Sequence, residues 1–432
     1  MPSLRVALLP LLLAAAPPAD ARVQIEHWTT QSGARAYFVE THALPIVDVS
    51  VEFAAGAAYD PPGRAGLGQL TLALLKGGSG RYDEGEVDRR IAGAGAQLHD
   101  NFDLDRAGYA LRTLSSEAER TAALDTLADI LQAPRFASDI FEREKARAIA
   151  NVAEEETQPE RIAEKRLYAL MYPSHPYGAT ATRATLAAIT REDVERHYRA
   201  RYGSAGAAVT IVGDLTVDAA KALAEQLTSR LGRGGESALP PSPPPAPGET
   251  VRVAFPSTQS HVLLGEAVLT RDDPDYFPLL VGNYILGGGG FSSRLMTDVR
   301  SKHGLAYSVY SYFYPLARPG PLQVGLQTRR DQAFEALRRV QGVIADFIAR
   351  GPTAAELKAA KQSLVGGFPL RIDTNRKVLE QLAVIGFYGL PLDWLDRYPA
   401  RLEAVTLGQV RDAFARRVAP GKLVTVVVGA TD

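Results

Sequence analysis

Two residues of this sequence carry side chains that donate hydrogen bonds without easy competing chemistry, and they lie close together in the chain. Arg300 and Tyr307 stand at the two ends of the segment RSKHGLAY. A guanidinium and a phenol both donate hydrogen bonds, and donors aimed at a developing oxyanion contribute strongly to carbonyl chemistry. On the residues alone an alternative stays open, in which Arg300 favours a helix C-terminus and Tyr307 is an aromatic residue on a strand surface.

The sequence offers little for a metal centre or a nucleophile of its own. It contains no cysteine, which excludes thiolate zinc sites, disulfides and a cysteine nucleophile. Its seven histidines lie at least 15 residues apart, so no pair has the helical spacing common in catalytic zinc sites. A phosphate-binding loop needs a lysine, which is missing from the run of Gly287, Gly288, Gly289 and Gly290. We interpret this run as a flexible turn.

The charge and the first residues predict an exported protein. With 48 basic and 49 acidic residues, the formal net charge of −1 gives no reason to expect nucleic acid or an anionic membrane as a partner. Arg5, an apolar run at residues 6–16 and a small-residue site ending at Ala21 form the pattern of a signal peptide. We therefore expect cleavage after Ala21 and a periplasmic or secreted protein. The apolar run is too short to span a bilayer, and no later segment is long and apolar enough.

The elements that position these residues fall into two similar halves. A segment rich in glycine and proline at residues 232–249 is interpreted as a linker between domains at residues 22–231 and 250–432. Residues 190–214 align with residues 406–430 at an offset of 216 without a gap. Each segment begins with a threonine, followed by a predicted helix and a strand rich in β-branched residues. Strands and helices in blocks predict an α+β fold, in which each half is an antiparallel-rich sheet with helices over one face.

Five segments in this order make the chain resemble the pitrilysin or insulinase family of zinc peptidases, which includes the mitochondrial processing peptidases. They are GLGQLTLALLKGGS at 66–79, GAGAQL at 93–98, FEREKARAI at 141–149, HPYGATATRATLAAIT at 175–190 and LGGGGFSSRLMTDVRSKHGLAYSV at 286–309. The resemblance covers essentially all of the chain from Val23 onward. It implies two homologous α/β-sandwich halves that form a clam-shell.

The resemblance also implies that the zinc site of the family is erased. Active members carry the motif HxxEH, in which two imidazoles bind Zn²⁺ and the glutamate is the general base. This chain has Gln69, Leu72 and Ala73 at those three positions. The third ligand of the family is a glutamate, and its place falls at about Asn151. We therefore expect no metal to be bound by this chain.

Other site residues of the family are present. Arg300 and Tyr307 match the pair that binds the substrate carbonyl in relatives, and the glycine run 287–290 matches a loop beside the active-site cavity. Gly95 and Gln97 enter a strand whose counterpart is a sheet edge, where the substrate peptide adds as an extra strand. The alternative for that edge is a strand that aspartates shield from aggregation.

The combined hypothesis is a non-catalytic subunit of a heterodimeric zinc peptidase that degrades oligopeptides. A homologous partner contributes zinc and the general base, and this chain contributes Arg300 and Tyr307. Proteolysis is then expected only from the complex. The alternative is a structural or peptide-binding pseudopeptidase without a catalytic role.

Overall fold

The structure is a computed structural model that describes residues 23–234 and 240–430. The predicted signal peptide and the middle of the predicted linker lie outside the described residues. Within the described part, no helix combines the length and the apolar character needed to cross a membrane.

The strands of the described residues are β1 (Glu26–Thr29), β2 (Arg35–Glu40), β3 (Ile46–Phe53), β4 (Gln97–Phe102), β5 (Ala107–Leu114), β6 (Ala208–Gly213), β7 (Thr250–Ala254), β8 (Gln259–Leu269), β9 (Ala306–Phe313), β10 (Gly320–Arg329) and β11 (Val424–Gly429). The α-helices are α1 (Leu67–Leu75), α2 (Glu84–Gly93), α3 (Glu117–Gln132), α4 (Ser138–Glu155), α5 (Pro159–Met171), α6 (Arg183–Ala187), α7 (Arg191–Arg201), α8 (Val217–Thr228), α9 (Tyr276–Asn283), α10 (Ala333–Arg350), α11 (Ala354–Gly366), α12 (Asn375–Tyr388), α13 (Trp394–Ala404) and α14 (Leu407–Arg417).

Two sheets that share a five-strand topology confirm the α+β prediction, and the first sheet has β1 as an additional edge strand. The first has the order β1-β2-β6-β3-β5-β4, and the second has the order β7-β11-β8-β10-β9. Each contains one parallel pair, β2 with β6 and β7 with β11, while the other pairs are antiparallel. Strands β4 and β9 occupy the same edge position in their respective sheets.

The end of each half repeats the same local structure. Helices α7 and α14, and strands β6 and β11, begin 216 residues apart, the offset found in the sequence. Thr190 and Thr406 each accept a hydrogen bond from the backbone of the third helical residue, in a reciprocal capping box. Both strands end on a glycine with positive φ, Gly213 and Gly429. This agreement confirms the predicted repeat of a capped helix and a strand.

The prediction that each sheet has only one covered face is wrong for the central strands. Helices of the same half cover one face, for example α3 on β5 and α10 on β8. The other face is covered by a helix of the opposite half: α12 lies on β6 and β3, and α5 lies on β11 and β8. Strands β6 and β11 are consequently buried at every position, as expected for strands covered on both faces.

Hydrogen bonds hold α12 on the first sheet. We call α5 and α12 the exchanged helices, because each lies on the sheet of the opposite half. A guanidinium nitrogen of Arg35 donates to the carbonyl oxygen of Gly386 at 2.7 Å, and the phenol of Tyr37 donates to the same oxygen at 3.4 Å. A Cβ at position 386 would lie 2.8 Å from the ring of Tyr37. The two halves therefore share their cores, although the chain runs through them in sequence.

Candidate functional site

The helix that carries the family's zinc motif is packed here as a structural helix. Leu72 is only 1% exposed and belongs to the apolar core of the first half. Its carbonyl oxygen accepts a hydrogen bond of 2.6 Å from the buried phenol of Tyr109. Gln69 is exposed, Ala73 is half-buried, and Asn151 is exposed on α4. Among the described residues, no group of three histidine, cysteine, aspartate or glutamate side chains could hold a metal ion.

An aspartate fixes the start of this helix. Both carboxylate oxygens of Asp60 accept backbone hydrogen bonds of 2.7 Å, from Gly66 and from Gly68. Such a carboxylate satisfies amides at a helix N-terminus that have no partner within the helix. Burial raises the pKa of Asp60 to about 6, against the opposing effect of these amide donors. A side chain from outside α1 therefore holds the start of this helix in place.

The structure brings Arg300 and Tyr307 together. Arg300 lies in a π-helical segment, Met296–Lys302, and Tyr307 is the second residue of β9. Gly304, with φ +63°, allows the tight turn between them. The guanidinium carbon of Arg300 lies 4.9 Å from the centroid of the Tyr307 ring, which is within the range of a cation–π contact.

A β-bulge points Tyr307 away from the sheet. In the pairing of β9 with β10, Ser308 faces Gln327 and Ala306 faces Thr328, so Tyr307 has no partner on β10. A bulge of this kind locally redirects a side chain and often lies beside an active site. The side chain of Tyr307 is 84% exposed as a result.

Phe291 is a third member of this group that the sequence interpretation missed. Its ring centroid lies 4.6 Å from the guanidinium carbon of Arg300. The only sequence signal was a large apolar residue directly after the glycine run. We call Phe291, Arg300 and Tyr307 the aromatic–arginine cluster.

The glycine run beside this cluster is not a flexible turn throughout. Gly287 and Gly288 belong to a π-helical turn, Tyr284–Gly288, and a Cβ at position 287 would lie 2.4 Å from the hydroxyl of Ser311 on β9. Close packing of this helical turn on β9 therefore requires glycine at position 287. Gly290 has φ +59° and open space around it, so backbone conformation is what favours glycine there.

A small cavity of about 140 Å³ adjoins Tyr307. Its wall combines β-strand residues with two glutamates of α5, Glu160 and Glu164. Burial lowers the pKa of His261 on β8, while the two glutamates act in the opposite direction. The exchanged helix α5 thus brings negative charge close to Tyr307.

The predicted substrate strand lies at the edge of the other sheet. Gly95, with φ +59°, and Gln97 are exposed, and among the described strands β4 pairs only with β5. Gln97 borders a cleft of about 480 Å³ between β4, β5 and α12. In this cleft Arg112 contacts both oxygens of Asp48, at 2.7 and 2.9 Å. This cleft and the cavity beside Tyr307 have no lining residue in common.

Comparison with known proteins gives matches in both halves. Residues 36–185 match the family profile described as Insulinase (Peptidase family M16), and residues 188–364 match the profile described as Peptidase M16 inactive domain. The crystal structure of a peptidase M16 inactive domain from Pseudomonas fluorescens superposes with a TM-score of 0.91 at 33% identity, covering 95% of this chain and 98% of that one.

Two further proteins are similar to this chain over most of their length. A Mycobacterium leprae protein named as an uncharacterized zinc protease is 28% identical over 354 residues, covering 80% of this chain and 79% of that protein. A Helicobacter pylori protein named non-peptidase homolog YmxG is 24% identical over 389 residues, covering 87% of each. The similarity therefore runs across both sheets.

Proposed function

The chain belongs to the insulinase (M16) family of peptidases, and we propose that it is a non-catalytic subunit of a heterodimeric zinc peptidase. Its partner in this proposal is a homologous subunit with an intact zinc site. The substrates are oligopeptides, which the complex cleaves and this chain alone does not. After removal of residues 1–21, the chain acts in the periplasm or outside the cell.

The residues of this chain do not fit a catalytic zinc ion. Catalytic zinc takes three protein ligands and leaves a fourth position for water or substrate. The positions of the family's motif hold an amide, a buried leucine and an alanine, namely Gln69, Leu72 and Ala73. We therefore assign both the metal and the general base to the partner and derive no catalytic step through zinc in this chain.

The observation that carries the proposal is that Arg300 has no carboxylate partner among the described residues. Arg294, six positions earlier, contacts both oxygens of Glu356 at 2.7 and 2.8 Å and clearly supports the fold. Arg300 instead lies against two aromatic rings, those of Phe291 and Tyr307. Because no carboxylate in the described part of the chain engages it, this charged donor is available for an acceptor from outside the chain.

In the proposed complex this acceptor is the carbonyl oxygen of the scissile peptide bond. Negative charge develops on that oxygen as the bond is attacked, and donors from Arg300 and Tyr307 stabilise it. Gly95, Gln97 and the glycine run 287–290 are retained as proposed substrate-binding elements. A peptide that pairs with the edge strand through its main chain explains how sequences of many kinds could be accepted.

The experiment that tests this proposal starts from the mature chain, tagged and recovered from its own host with whatever binds it. The material is assayed for cleavage of a quenched fluorescent peptide, with and without a zinc chelator. We expect chelator-sensitive cleavage from the complex and none from the chain alone. Recovery of the chain without a partner, and without activity, would contradict the proposal.

The second candidate is a structural or peptide-binding pseudopeptidase. It is favoured by the core packing of Leu72 and by the name non-peptidase homolog given to the Helicobacter pylori relative. Under this alternative, a purified complex shows no chelator-sensitive cleavage, while a labelled peptide still binds.

A further inference from the structure

Phe291 is a large apolar side chain that remains 72% exposed. A single exposed apolar residue needs no explanation by itself. This ring, however, lies against the guanidinium of Arg300, which has no carboxylate partner in the described part of the chain. The ring and the cation therefore form one unit on the surface.

The loop that carries Phe291 is held in place by two serines. The hydroxyl of Ser292 donates to the carbonyl oxygen of Gly289 at 3.0 Å, and the hydroxyl of Ser293 donates to that of Gly290 at 2.8 Å. Ser293 is fully buried. These bonds close the turn on both sides of Phe291, so its backbone position is fixed by the fold.

The guanidinium of Arg300 lies close to two aromatic rings. A long arginine side chain has several rotatable bonds, and ordering it without a partner is entropically unfavourable. The rings of Phe291 and Tyr307 restrict it through cation–π contacts, which leave the N–H groups available as donors.

We propose that Phe291 is a positioning residue, which holds the guanidinium of Arg300 beside Tyr307 in the orientation needed to bind a substrate carbonyl. The role in turnover rests on the function proposed above. The positioning of Arg300 is a property of this chain and can be measured in the absence of any partner.

The first measurement is the Nε–Hε signal of Arg300 in the mature chain labelled with ¹⁵N-arginine, assigned by its loss in Arg300→Lys. An aromatic ring over the guanidinium shifts this signal upfield, so Phe291→Leu should move it downfield, whereas Phe291→Tyr should largely preserve it. Leu370→Ala is the matched control, because Leu370 is 66% exposed and also apolar. An unchanged signal in Phe291→Leu would overturn the proposal.

The second measurement is turnover by the recovered complex. Phe291→Leu should lower kcat roughly threefold to tenfold with little change in KM, and Phe291→Tyr should restore most of it. A moved arginine signal with unchanged kcat would overturn the role in turnover. A complex with no cleavage even for the unchanged chain would count against the proposed function, and the arginine signal would still decide whether Phe291 positions Arg300.

Discussion

The phenol of Tyr388 donates a hydrogen bond of 2.9 Å to a carboxylate oxygen of Asp105, and this bond joins the two halves of the chain. Asp105 lies between β4 and β5 and is 1% exposed, whereas Tyr388 ends the exchanged helix α12. The same carboxylate accepts hydrogen bonds from the phenol of Tyr177 at 2.5 Å and from the backbone of Ala317 at 2.8 Å. Burial raises the pKa of Asp105, and these donors oppose that rise.

We predict that Asp105→Ala lowers the free energy of unfolding by about 3–5 kcal/mol, because it leaves the buried phenol of Tyr177 and the half-buried donors of Tyr388 and Ala317 without an acceptor. Asp105→Asn should lose less, since its amide oxygen still accepts hydrogen bonds. Urea unfolding checks both variants. Asp100→Ala, at an exposed position of β4, is the control and should change stability by less than about 0.5 kcal/mol. A similar small loss for Asp105→Ala would contradict the role of Asp105 in joining the halves.

Two arginines of neighbouring helical turns should separate stability from activity. Arg300→Ala should leave the stability of the chain nearly unchanged but lower kcat/KM of the complex by roughly 10²–10³-fold, through the loss of an oxyanion donor. Arg300→Lys should be intermediate, because lysine keeps the charge and loses the planar fork of donors. The partner's zinc content, measured in the same samples, should not change.

Arg294→Ala is the matched variant for this comparison. It leaves Glu356 without its bidentate partner, and the Arg294 guanidinium at present lowers the pKa of Glu356 to about 2. We expect a clear loss of stability, seen as a lower urea midpoint, and turnover close to normal at temperatures where the variant is folded. Near-normal turnover of Arg300→Ala would remove the basis for assigning that residue to the active site.

The packing of Leu72 predicts that introducing the HxxEH motif into α1 would destabilise the chain. Leu72→Ala should cost about 2–5 kcal/mol of stability, since it opens a cavity in the core. Leu72→Glu should cost more, because it places a carboxylate among apolar side chains without a partner. Gln69→His should be tolerated at its exposed position. Thermal unfolding checks the order of these variants, and a fully stable Leu72→Glu would show that the position is more open than its packing indicates.

Local features of the fold could be predicted from the sequence because their causes are local. Thr190 and Thr406 stand where a side-chain oxygen can cap a helix, and the structure shows both caps. Arg300 and Tyr307 come together because only the end of a helical segment and the turn at Gly304 separate them. The edge position of β4 is the one that the family resemblance implied.

Features that depend on distant parts of the chain could not be predicted in this way. The pattern of α12 shows that one of its faces is apolar, but it carries no information on which sheet covers that face. The exchange of α5 and α12, and with it the burial of both faces of β6 and β11, was therefore missed. Leu72 stands where the family motif has a glutamate, and only the structure shows that its side chain packs in the core. The contact of Phe291 with Arg300 could not be predicted, because it depends on the conformation of a turn that the glycines alone do not specify.

A buried histidine should make the chain sensitive to mild acid. His197 on α7 is buried with its Nε2 atom unpaired, and burial, assisted by the nearby Arg201, lowers its pKa to about 4. The unfolded chain, with a histidine pKa of about 6.5, binds the proton more readily between these values. The contribution of His197 to stability is therefore complete above pH 6.5 and declines by about 3 kcal/mol as the pH falls towards 4.

Urea unfolding at several pH values should show that His197→Gln flattens this decline in stability, whatever its effect at pH 8. The exposed His42 is the control of opposite sign: Asp214 and Glu40 raise its pKa, so His42→Gln should steepen the decline slightly. If the two variants changed the pH dependence of stability in the same direction, the burial of His197 would not explain the decline in acid.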